Sequence, residues 1–186
     1  GDRSCPAVAA GDRRARREDR SALPAVLARG RTGTLWPVPG LRVSPPLYRR
    51  ITLFALLALV FIVVTGAGVR LTSSGLGCTD WPACSDGQLV AELDFHPMVE
   101  FVNRMITGLV SAAVIVAVLA SLLRDPLRRD LTWLSLGLVG GVVVQIVLGG
   151  IVVKVGLKPV FVTLHYLASI LLVWNAFVLH HRAGQP

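Results

Sequence analysis

The chain has 186 residues, 53% of them apolar and only 16% charged, with a mean hydropathy of +0.64. A soluble domain carries about a quarter charged residues, so the soluble globular class is excluded. Collagen-like and disulfide-scaffold classes are excluded too, with Gly at 18 and Cys at 3. The net charge of +8 does not mark a nucleic-acid binder, because Gly1 to Arg50 holds eleven Arg and four acidic residues, a local balance of 11 − 4 = +7.

Residues 1–50 are rich in Arg, Ala, Gly and Pro and bury too little apolar surface to offset ordering entropy, so a disordered basic tail is expected. The block Arg13-Arg14-Ala15-Arg16-Arg17 can meet nucleic acid or anionic lipid, but it reads first as a solvated block that sets membrane orientation. The tail lacks an apolar h-region and an A-x-A site and is not read as a signal peptide. Cys5 is assigned no role.

Four apolar runs follow: 51–69, then 105–123 with its helix running back to residue 98, then 131–153 and 160–179. A hydrocarbon core of roughly 30 Å takes about 20 helical residues, and runs this long without alternation are not strands. The expected fold is therefore all-α, a polytopic four-helix transmembrane bundle over 51–180. Two short connections, Arg124–Asp130 and Lys154–Pro159, suit antiparallel neighbours. The long loop 70–96 carries Asp80, Asp86, Glu92 and Asp94 against Arg70, while the tail and the second loop (Arg124, Arg128, Arg129) are basic. The positive-inside bias then puts the N-terminus and the 181–186 end in the cytoplasm and the long loop outside. Lys154 and Lys158 run mildly against that bias. On the third helix, Gly137 and Gly141 form a small-xxx-small pair, and Gly149-Gly150 near its outer end admit a neighbouring helix or a flat ligand.

The outer loop holds Cys78 and Cys84 with Trp81-Pro82 between them. A pair on the oxidising side can be a disulfide staple or a redox-active couple, and the spacing leaves both open. A zinc site lacks further ligands at short spacing. Trp81 suits the membrane interface. After the loop comes His96-Pro97, with Pro97 at a first helical position. Glu100, Asn103 and Thr107 then share one helical face, and Glu100 and Arg104 are spaced for an i,i+4 ion pair. His165 lies about six residues into the fourth span. At that depth it is either an interhelical hydrogen-bonded group, with Gln145 as a candidate partner, or an axial haem ligand.

Several separated segments, in order, resemble haem A synthases. They are Val64-Thr65-Gly66-Ala67-Gly68-Val69-Arg70 through Gly77-Cys78, then Asp80-Trp81-Pro82 and Cys84, Glu100-Phe101-Val102-Asn103-Arg104, Gln145-Ile146-Val147-Leu148-Gly149-Gly150, and Leu164-His165-Tyr166. The resemblance covers roughly 48–180. It implies one half of an eight-helix, two-repeat membrane fold that oxidises a ring methyl of haem O to a formyl group, making haem A for terminal oxidases. It further implies a b-type haem, His165 as a haem ligand, Glu100 as the essential acidic residue, and Cys78 and Cys84 as the outer-loop pair. Two departures stand out. The family's Glu-x-x-His-Arg motif carries Asn103 where the ligand histidine belongs, with His96 one to two turns outward as a substitute, and the chain has four spans instead of eight. Arg70 and Arg104 are candidates for the haem propionates, with Asn103 beside them in the pocket. The implied partners are haem O, membrane lipid, haem O synthase, a quinol or other electron donor and a second copy of the chain, with no nucleic acid. The location is the plasma membrane. Rival readings are a membrane thiol/quinone oxidoreductase and a haem-binding electron-transfer subunit without catalysis.

Overall fold

The computed structural model describes residues 42–85 and 87–186, together with Gly1. The tail block Arg13–Arg17, Cys5 and the loop residue Asp86 lie outside the described residues. Four helices run in chain order: α1 (Pro45–Leu71), α2 (Phe95–Leu122), α3 (Arg129–Lys154) and α4 (Pro159–Ala183). All four are long and apolar enough to cross a membrane. At 25 to 28 residues each, and about 1.5 Å per residue, they exceed a core of roughly 30 Å, so their ends reach the headgroup level. The chain is an all-α polytopic membrane bundle.

Each helix packs on its sequence neighbours, and α1 closes the ring on α4. The helices alternate in direction. At the tail end, the Tyr48 hydroxyl meets Ser135 Oγ at 2.9 Å, and Thr52 Oγ1 lies 3.2 Å from His180 Nδ1. At the opposite end, which carries the long loop, Gly75 faces Leu157 and Trp81 covers Gly150.

Helix α1 starts six residues before the apolar run at 51, so residues 42–50 are not part of a disordered tail. Pro45 and Pro46 open the helix, where a missing N–H costs nothing, and Tyr48 is fully buried. Val43 donates its N–H to the Leu123 carbonyl (2.9 Å) and accepts from the Asp125 N–H (3.2 Å). An Arg42–Asp125 ion pair completes this tie between the start of the bundle and the α2–α3 loop.

Packing along the bundle is uneven. Buried residues of α1 end at Leu59, those of α4 begin at Leu172, and the apolar buried set of α2 begins at Val110. On α3 the set runs from Leu131 to Val142, with Gly150 alone beyond it. One apolar core, built around Tyr48, Val114, Leu131, Leu138, Ala176 and Leu179, thus fills the tail-end half. Small residues such as Ala117, Ala120 and Ala176 let the backbones close there. In the loop-end half, Glu100 is the one buried helix side chain among the described residues.

Gly137 and Gly141 do serve helix packing. A Cβ on Gly137 would sit 2.9 Å from Asn175 Nδ2, and one on Gly141 would strike the Leu172 side chain.

Candidate functional site

The loop-end half of the bundle carries the candidate site residues Arg70, Cys78, Cys84, His96, Glu100, Asn103, Arg104 and His165. Cys78 and Cys84 form a disulfide, with Cα atoms 4.3 Å apart and both residues buried. The loop closes on itself through Asp80 N–H to the Cys84 carbonyl (3.0 Å) and Cys84 N–H to the Gln88 carbonyl (2.8 Å). Gly77 lies directly on the His96–Pro97 backbone, where any Cβ would collide with the His96 carbonyl and Pro97 N, so only glycine fits.

Glu100 projects from the first turns of α2 into this loop and is 6% exposed. Its Oε2 accepts the Cys78 N–H at 2.9 Å, and its Oε1 accepts from Arg104 at 2.6 Å. The i,i+4 pair read from the sequence is present, but it is only part of a larger clamp. Arg104 also donates to the carbonyls of Asp80 (3.0 Å) and Ala83 (2.8 Å), on either side of Trp81-Pro82. One carboxylate and one guanidinium thereby hold the whole disulfide turn onto α2. Charge-assisted bonds of this kind are the strong ones, and a buried carboxylate requires them.

His96 is exposed at the helix start, and its Nδ1 lies 3.0 Å from the buried Ser74 hydroxyl, which in turn meets Thr72 Oγ1 at 2.9 Å. Asn103 and Glu100 are not hydrogen-bonded to each other despite their common face. It turns to α1, where Thr65 Oγ1 lies 2.9 Å from Asn103 Oδ1 and 3.1 Å from the Ile62 carbonyl oxygen. Asn103, Thr65, Gly68, Thr72, Met98 and Val102 line an α1–α2 groove of about 390 Å³. Thr107 bonds back to the Asn103 carbonyl (3.0 Å). Arg70 is exposed at the end of α1 and has no side-chain partner among the described residues.

His165 packs on the other side of the bundle, against α3. A Cβ on Gly149 would meet its Cε1 at 3.7 Å. Gln145 does not bond the ring. Its Nε2 donates to the His165 backbone carbonyl (3.2 Å) and to Ser169 Oγ (2.7 Å), and Ser169 donates to that same carbonyl (2.9 Å). His165 Nδ1 and Gln145 Oε1 are both buried with no hydrogen-bond partner among the described residues.

The adjacent Gly150 carries the loop. A Cβ there would lie 3.1–3.3 Å from the Trp81 indole, so Trp81 is a ring seated on α3 rather than only an interface anchor. Two neighbouring glycines therefore bring the tip of the disulfide loop and the His165 imidazole to one depth. Sequence reasoning missed this role of Trp81, and also the grip of Arg104 on the loop carbonyls. The Gly149-Gly150 pair was the available signal.

Among the described residues, no group of three or more His, Cys, Asp and Glu is placed to hold a bare metal ion.

Comparison with known proteins gives the family. The family model described as cytochrome oxidase assembly protein, COX15-CtaA, matches residues 49–186. Curated proteins named heme A synthase align as well. That of Listeria welshimeri is 32% identical over 123 residues, covering 64% of this chain and 40% of its own length. That of Bacillus pumilus is 28% identical over 125 residues, covering 66% and 40%. That of Lysinibacillus sphaericus is 36% identical over 63 residues, covering 33% and 20%. The chain spans about two fifths of the length of the longer-matching relatives. The matched region begins within α1, just after the first buried tyrosine, and takes in the disulfide loop, Glu100, Arg104 and His165. The chain belongs to the COX15-CtaA family of cytochrome oxidase assembly proteins.

Proposed function

We propose that this chain is the N-terminal four-helix half of a haem A synthase, which oxidises a ring methyl of the substrate haem O to the formyl group of haem A. The reading rests on one observation above the others. His165 presents a buried imidazole nitrogen without a partner, in the loosely packed half of the bundle, at the depth of the Glu100–Arg104 clamp. Family membership and the heme A synthase relatives support it.

Haem fits the residues of this end. The imidazole carries a nitrogen that no described protein group uses, the kind of donor an iron ligand requires, and Gly149, lacking a Cβ, lets the ring lie against α3. His165 would be the ligand, and His96, tied through Nδ1 to Ser74, the second histidine in place of Asn103. Arg70, free of side-chain partners among the described residues, is placed for a propionate, with Asn103 and Arg104 in the pocket. A resident b-type haem, as the family resemblance implies, supplies one-electron and oxygen chemistry when bound.

The chain's own residues bind, orient and polarise. Glu100 is the candidate catalytic carboxylate. Its negative charge acts on the reacting methyl by taking a proton or by offsetting developing positive charge. The disulfide loop and Trp81 cover the loop end and limit water. The reading includes the plasma membrane as location. Seven Arg against Asp125 and Asp130 at the tail end favour that end as cytoplasmic, both termini included. It also includes haem O synthase as supplier of substrate, a quinol or other donor of electrons, and pairing with a second four-helix unit, whether the rest of a longer chain or another copy.

The test uses the full-length protein in a host without its own enzyme, with extracted haems separated by chromatography. His165→Ala is expected to lower bound haem in the absorption spectrum, and Glu100→Gln to keep bound haem while haem O accumulates. Undiminished pigment and haem A in both variants refutes the proposal.

A further inference from the structure

We propose that Gln145 is a positioning residue for His165: its carboxamide oxygen accepts the imidazole N–H at Nδ1 and so leaves Nε2 with the bare lone pair that iron needs. The inference rests on the reading of His165 as a haem ligand for its purpose, and on the hydrogen bonds between α3 and α4 for its evidence. Gln145 and Gly149 stand four residues apart on α3, one turn along the same face. Both meet His165 on α4. Gln145 bonds its backbone, and Gly149 lies beside its Cε1.

The direction of each bond follows from what the atoms can do. The His165 carbonyl oxygen only accepts, so the end of the Gln145 carboxamide that lies 3.2 Å from it is the N–H end. The reverse orientation would set two acceptors against each other. The single Ser169 hydroxyl proton goes to that same carbonyl at 2.9 Å. Ser169 Oγ therefore accepts from Gln145 Nε2 at 2.7 Å. Both amide protons of Gln145 are then committed, and Oε1 is left as a pure acceptor.

Oε1 is buried without a partner among the described residues, and so is His165 Nδ1. A buried polar atom of either kind is costly to leave unpaired. The two belong to residues already bonded to each other, and they are complementary only when Nδ1 carries hydrogen. Ser169, the other polar side chain at hand, has no proton left to give. The pair is not bonded as the ring stands. A turn of the imidazole about its Cβ–Cγ bond, or one water between the two atoms, joins them.

The position of that proton decides what the ring can bind. A neutral imidazole has one N–H and one lone pair, and the ligating nitrogen must be the one without hydrogen. Nε2 has no hydrogen-bond partner among the described residues and is not one of the enclosed atoms, so it is the nitrogen open to a guest. A proton fixed on Nδ1 keeps Nε2 free, orients the ring and raises the basicity of the ligating nitrogen. One carboxamide thus serves His165 twice, holding its main-chain carbonyl and setting the tautomer of its ring.

The experiment uses the full-length protein with isotope-labelled histidine in phosphatidylcholine nanodiscs, first free of haem and then titrated with haem b. In the haem-free protein, solid-state nitrogen NMR is expected to show hydrogen on Nδ1 of His165 and a bare Nε2, with the signal assigned by its loss in His165→Ala. Gln145→Leu is expected to lose the Nδ1–H signal, to weaken haem binding about 10- to 100-fold and to raise the haem midpoint potential. Gln145→Glu, a neutral acid in hydrocarbon, offers an O–H to the His165 carbonyl and a C=O to Nδ1, and is expected to restore the tautomer and the affinity. Ser169→Ala removes a hydrogen bond between α3 and α4 without touching Oε1, and is expected to leave the tautomer and the potential unchanged. A merely structural Gln145 would make Ser169→Ala and Gln145→Leu alike. Hydrogen on Nε2 in the haem-free protein, an Nδ1–H signal that survives in Gln145→Leu, or a Ser169→Ala that matches Gln145→Leu overturns the proposal. An Nδ1–H signal that depends on Gln145, with haem uptake undiminished in His165→Ala, counts against the haem reading alone. Haem lost in His165→Ala, with hydrogen on Nε2 in the haem-free protein, counts against the role of Gln145 alone.

Discussion

Replacing Arg104 with Gln is expected to make the disulfide about 100-fold easier to reach. The guanidinium side chain is 19% exposed and holds Glu100 Oε1 at 2.6 Å together with the carbonyls of Asp80 and Ala83. Removing one member of a buried pair costs about 3–5 kcal/mol, and the partial exposure of Arg104 lets water recover some of it, so about 3 kcal/mol is the expected loss. That loss weakens closure of the loop onto α2. With a tenfold change per 1.4 kcal/mol, the open population rises by about two decades. Both cysteines are buried, so a bulky phosphine reductant acts on the open form. The assay is the rate of disulfide reduction in the full-length protein, read as alkylated thiols by mass spectrometry. Arg104→Lys is expected to fall between the two, since an ammonium replaces the fork with a single point charge. Arg182→Gln, at the far end, is expected to match the wild type. A reduction rate for Arg104→Gln within threefold of wild type would show that the clamp does not hold the loop.

Three further changes test other contacts. Gly150→Val is expected to expel Trp81 from α3, since even a Cβ lies 3.1–3.3 Å from the indole; with the other three tryptophans replaced by Phe, its emission should shift to the red. Tyr48→Phe removes a buried 2.9 Å bond to Ser135, whose hydroxyl keeps its 2.7 Å bond to the Leu131 carbonyl, so a loss of only about 1 kcal/mol is expected in detergent unfolding. Gly141→Leu drives a side chain into Leu172 at the centre of α3–α4 packing and is expected to cost about 1–3 kcal/mol or more, seen as a lower melting temperature.

The four helices were legible because hydrocarbon imposes a single requirement, about 20 apolar residues with no free backbone groups, and each run meets it. The start of α1 was not. Arg49 and Arg50 made the segment look like tail, whereas Tyr48 between Pro46 and those arginines is buried by a tertiary contact with Ser135, 87 residues away. At the site, the i,i+4 relation of Glu100 and Arg104 was visible from helical geometry, because it is local. Arg104's hold on Asp80 and Ala83 was not, because loop carbonyls leave no mark in the side-chain pattern. Asn103 shows the same limit. The helical wheel put it with Glu100, but in the bundle a rotation of a few tens of degrees separates a residue facing the disulfide loop from one facing Thr65.

The unequal filling of the bundle bears on how the protein matures. The tail-end half interlocks through Tyr48, Leu131, Leu138 and Leu179 and needs nothing but the chain itself. The opposite half has little apolar interlocking of its own, so any guest seated there becomes a structural member and adds stability in proportion to the logarithm of its concentration over Kd. Hydrogen exchange in α1 and α4 should therefore be slow at one end before loading and become slow at the other only afterwards. The nascent bundle would resemble a closed fist at its base and an open hand at its rim.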